Sequence, residues 1–141
     1  MKRFAVLLLT VVVLAGCKDP YGACEKAALN IGNGIAAGMN TANDLRVAGK
    51  ISLQEETNIL GFLKFANDAN GVFGACAQQV HASGAKTGYT TCALTFQQTL
   101  SNPTELALIH VSNPDSQQNV MVIVNAINTG VSTVLTALGG Q

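Results

Sequence analysis

The chain has no tryptophan, three prolines, two histidines and few charges: Asp, Glu, Lys and Arg together make up 11% of its 141 residues. Each shortage closes off a class of answer. With five Phe and two Tyr as the only aromatics, the interior has to be filled by aliphatic and small side chains. Eight basic residues balance eight acidic ones and form no patch, which argues against nucleic acid as a partner. The solvated surface then falls to Asn, Gln, Thr, Ser, Ala and Gly. His81 and His110 have no C-x-x-C or C-x-x-C-H beside them, so a zinc clip or a c-type haem lacks its signature. Cys76 and His81 lie five positions apart, off the i, i+4 spacing that puts two ligands on one helix face. No G-x-S-x-G occurs. Glu55 and Glu56 open a helix, where they serve its cap and macrodipole rather than general acid/base work. No catalytic residue, metal ligand or cofactor is assigned, and the chain is not read as an enzyme.

The prolines are informative because each follows a capping residue: Asp19-Pro20, Asn102-Pro103 and Asn113-Pro114. That pair is an N-cap followed by proline at the first helical position. From Pro20 an apolar seam runs through Cys24, Ala28, Ile31, Ile35, Gly38, Ala42 and Leu45 in alternating steps of four and three, the pattern of packed antiparallel helices. Asn30, Asn33, Asn40 and Asp44 fall on the other side. Gly32, Gly34 and Gly38 read as places where a neighbouring helix comes close. Gly49 suits the left-handed position past a helix end, and Ser52-Leu53-Gln54-Glu55 is a capping box. So short a link forces an antiparallel hairpin.

The second helix is expected to reach about Ala82, with a seam of Ile59, Leu63, Ala66, Asn70, Phe73, Ala77 and Val80. Phe62, Phe65, Ala69, Val72 and Cys76 widen its apolar arc past a half circle, which places it centrally. Asn70, the one polar residue on the seam, is expected to hydrogen-bond within the core. His81 is placed to meet the last carbonyls of that helix. After the break at Gly84 and Gly88, a third helix starts between Thr87 and Thr91 and ends near Leu100. A short helix over Glu105–Val111 follows. From Asp115 to Leu138, "VMVIV" and Asn128-Thr129-Gly130 permit a β-hairpin. The seam Val120, Val124, Ile127, Val131, Val134 and Leu138, with Pro114 before it and Gly139-Gly140 after, favours a helix. The expected fold is all-α: a small antiparallel helical bundle of about four main helices and one short helix, a single domain over residues 20–141.

The first residues read differently. Lys2-Arg3 precede Phe4 to Leu14, apolar except for Thr10. This is the charged and apolar make-up of a signal peptide, too short for a bilayer, which needs about 20 residues. It ends Leu14-Ala15-Gly16-Cys17. That stretch resembles the lipobox of bacterial lipoproteins, and the resemblance covers residues 1–17. It implies cleavage after Gly16 and acylation of the Cys17 sulfur and of the new amine. It also implies that residues 17–19 form a very short tether holding the bundle to a membrane of the bacterial cell envelope. Lys18 stands where an Asp would be the inner-membrane signal of the resembling class, which implies the outer membrane, periplasmic side. Without Lys2 and Arg3 the remaining chain carries a net charge of about −2 at neutral pH.

On this reading the protein is a lipid-anchored lipoprotein that acts by binding or as a structural envelope component, with an unidentified envelope protein as partner. The alternative is a small inhibitor, immunity or phage superinfection-exclusion lipoprotein that blocks a toxin, a lytic enzyme or a receptor. If Cys17 carries lipid, Cys24, Cys76 and Cys92 remain in an oxidising compartment. A hairpin centred near Lys50 sets residues whose numbers sum to about 100 level with each other, Cys24 with Cys76 among them. The turn near Gly84 sets Cys76 level with Cys92. Cys76–Cys92 is favoured because it closes the shorter loop; Cys24–Cys76 is the alternative.

Overall fold

The computed structural model describes residues 19–85 and 87–139. All the regular structure among them is helical: α1 (Pro20–Val47), α2 (Leu53–Ala82), α3 (Tyr89–Leu100), α4 (Pro103–Ala107) and α5 (Pro114–Gly139). The three Xaa-Pro pairs start α1, α4 and α5. Asn102 Oδ1 accepts from Thr104 N–H (2.9 Å) and Asn113 Oδ1 from Ser116 N–H (3.0 Å), so both asparagines cap in full. Asp19 occupies the N-cap position of α1 without a side-chain capping bond. α1 ends as the glycine pattern requires. Gly49 has φ +67°; its N–H donates to the Arg46 carbonyl and the Lys50 N–H donates to the Leu45 carbonyl. These are the paired bonds of a Schellman turn.

α1 and α2 form the expected hairpin, and α5 lies against the other side of α1. Gly38 meets Ile123 and Gly130 meets Ile31. Seven steps up α1 therefore match seven steps down α5, and the two helices are antiparallel. The main helices close a ring, α1–α2–α3–α5, with α1 also touching α3. The sequence put α2 at the centre of the bundle; α1 instead lies along both α2 and α5. The cause is visible at Val72 and Phe65. Val72 is 66% exposed and Phe65 only half-buried, so the apolar arc of α2 is wider than the neighbours that cover it.

The α5 seam falls as the spacing requires: Val120, Val124, Ile127, Val131, Val134 and Leu138 are all buried, and no strand forms. Phe73 and Phe96 stack at 5.4 Å between α2 and α3. The short helix differs from expectation, since α4 is a single five-residue helix starting at Pro103 and not two turns from Glu105. Ile109 and Val111 leave the helix to plug the core from a loop. The Val111 N–H donates to Gln117 Oε1 at 2.6 Å.

Candidate functional site

Two regions collect polar chemistry, one at each end of the bundle, and a groove runs between α1 and α2. At the end where α1 begins and α2 finishes, the Tyr21 ring stacks on His81 with centroids 4.1 Å apart. His81 therefore packs sideways on α1, where the sequence had it serving the carbonyls of its own helix. Near the same end of α1, Cys24 is fully buried. Burial first, and the Asp19 carboxylate second, push its thiol up to about 11, so it is a neutral core side chain at physiological pH. Cys76 and Cys92 form a disulfide between α2 and α3, with Cα atoms 5.8 Å apart. Cys24 is free, so the alternative Cys24–Cys76 pairing is not formed. Level was the right criterion and insufficient: Cys24 faces the core, while Cys76 is turned toward α3.

At the opposite end, both carboxylate oxygens of Glu55 are engaged. Oε2 accepts from the Ser52 N–H (2.7 Å) and hydroxyl (2.9 Å), and Ser52 Oγ accepts in return from the Glu55 N–H (3.2 Å). Oε1 accepts from the Ser112 N–H at 2.7 Å. The Ser112 bond first, then the Ser52 bonds, hold this carboxyl down at about 2. Ser116 Oγ–H donates to the Lys50 carbonyl at 3.3 Å. The α2 cap thus ties down the start of α5. Arg46 and Glu56 add an ion pair at 3.9 Å.

The groove encloses about 490 Å³ and is lined from α1 by Tyr21, Glu25, Ala28, Leu29, Gly32 and Asn33, and from α2 by Asn70, Gly71, Gly74, Ala77 and Gln78. Three of the lining residues are glycines. A Cβ at Gly71 or Gly74 would have nothing within 4 Å, and one at Gly32 only the Asn70 amide at 3.6 Å. Gly38 is different. A Cβ there would come within 2.8 Å of Ile123 and 3.3 Å of Leu63, so this glycine alone among Gly32, Gly34 and Gly38 is demanded by helix packing. Asn70 is buried, as its seam position requires. Its Nδ2 donates to the Ala28 carbonyl at 2.9 Å, while its Oδ1 is buried without a partner.

Asn33, from the exposed asparagine row of α1, reaches the groove; Asn30 and Asn40 are solvent-exposed. Cys17 and Gly16, the expected lipidation and cleavage positions, lie outside the described residues. Among the described residues no group of three His, Cys, Asp or Glu side chains comes together as a metal site would need. α5 is long and apolar enough to cross a membrane by length and composition, yet its apolar seam is the one the core takes. Comparison with protein-family models, characterised proteins and solved structures found no match. The groove was not foreseen. The hairpin register that set Cys24 beside Cys76 also sets Leu29 beside Gly71, and that was the available signal.

Proposed function

We propose that the protein is a lipid-anchored lipoprotein of the bacterial envelope that works by binding, with the α1–α2 groove as its binding face. The observation that carries the anchor is the run Leu14-Ala15-Gly16-Cys17, placed two residues ahead of the α1 N-cap. A bundle begun so soon after its acylated residue has almost no tether, so it stands against the bilayer with its Asp19 end lowest. From that end α1 extends roughly 40 Å at helical rise, and the groove occupies its lower half. Two acyl signals on one residue suffice for stable membrane residence. What favours binding over catalysis in this reading is the groove's lining, the Tyr21 phenol, the Glu25 carboxylate, the amides of Asn33, Asn70 and Gln78 and apolar Leu29 beside glycine backbone, a set without a nucleophile–base pair.

The test of the anchor is Cys17→Ser in the native host. The wild type is expected in the membrane fraction, released only by detergent. The variant is expected to accumulate as a precursor that still carries residues 1–16 and takes up no labelled fatty acid. Equal fatty-acid labelling of the two proteins would dispose of the assignment.

A further inference from the structure

We draw no further inference here: the strongest candidate, the charge-free outer face of α5 along which Gln118, Val122, Asn125, Thr129, Ser132 and Thr136 are exposed, carries nothing because nothing in the structure shows what covers it.

Discussion

Among the described residues, the Glu55 carboxylate accepts three hydrogen bonds, more than any other side chain. It closes the α2 capping box and, across 57 residues of sequence, holds the Ser112 N–H at the entry to α5. The box was legible from Ser52-Leu53-Gln54-Glu55, because its partners are three residues apart. The Ser112 bond was not, because no local pattern encodes which loop the folded chain brings to a helix N-terminus. The consequence is a pH dependence. The Glu55 carboxyl lies at about 2 in the folded chain against an ordinary 4.5. A depressed value means that the ionised form supports the fold above about 4.5 and that this support is lost as pH falls towards about 2. Glu55→Gln is expected to melt below the wild type at neutral pH and to lose that difference by about pH 2, as followed by circular dichroism. A difference that stays constant between the two pH values would mean that the Ser112 and Ser52 bonds do not favour the charged form. Asn70 shows the opposite limit of local reading. Its burial follows from its seam position, but the lack of a partner for Oδ1 depends on what α1 presents opposite, namely the Ala28 carbonyl.

At the scale of the helix, the seams were legible and their neighbours less so. Every apolar seam residue of α5 is buried where a 3.6-residue period puts it, although "VMVIV" has strand propensity. Packing against α1 and α3 outweighs the β-branched preference. The short helix is shorter than the expected Glu105–Val111 because Ile109 and Val111 reach the core from a loop and not from a helix face. The helix glycines look alike in sequence and differ in space, which a pair of substitutions exposes. Gly74→Ala adds a methyl to open space in the groove and is expected to stabilise by about 0.5–1 kcal/mol. Gly38→Ala gains the same propensity but pushes a methyl against Ile123 and Leu63. It is expected to come out net destabilised, with the overpacking costing about 1–3 kcal/mol before that gain. Denaturant midpoints of the two variants decide it: if Gly38→Ala is the more stable, α1, α2 and α5 do not pack as described.

For the molecule as a whole, the bundle, its hairpin register and the Cys76–Cys92 bridge could be argued from spacing alone. The ring order and the groove could not, since both depend on which arcs remain uncovered once four helices have met. The bridge links α2 to α3 across 16 positions, a loop whose closure is worth about 3 kcal/mol on the chain-entropy model. It staples the shortest of the ring's helices to its neighbour. Cys24 remains a buried neutral thiol, and Cys17 is the cysteine proposed to carry lipid. The intact mass of the protein isolated from its host membranes tests this account most directly. The mass is expected to equal Cys17–Gln141 plus acyl chains, less the pair of hydrogens lost to the bridge. One thiol, Cys24, should react with an alkylating agent only after denaturation. A chain without acyl groups, or one whose Cys76 and Cys92 alkylate without reductant, would contradict it.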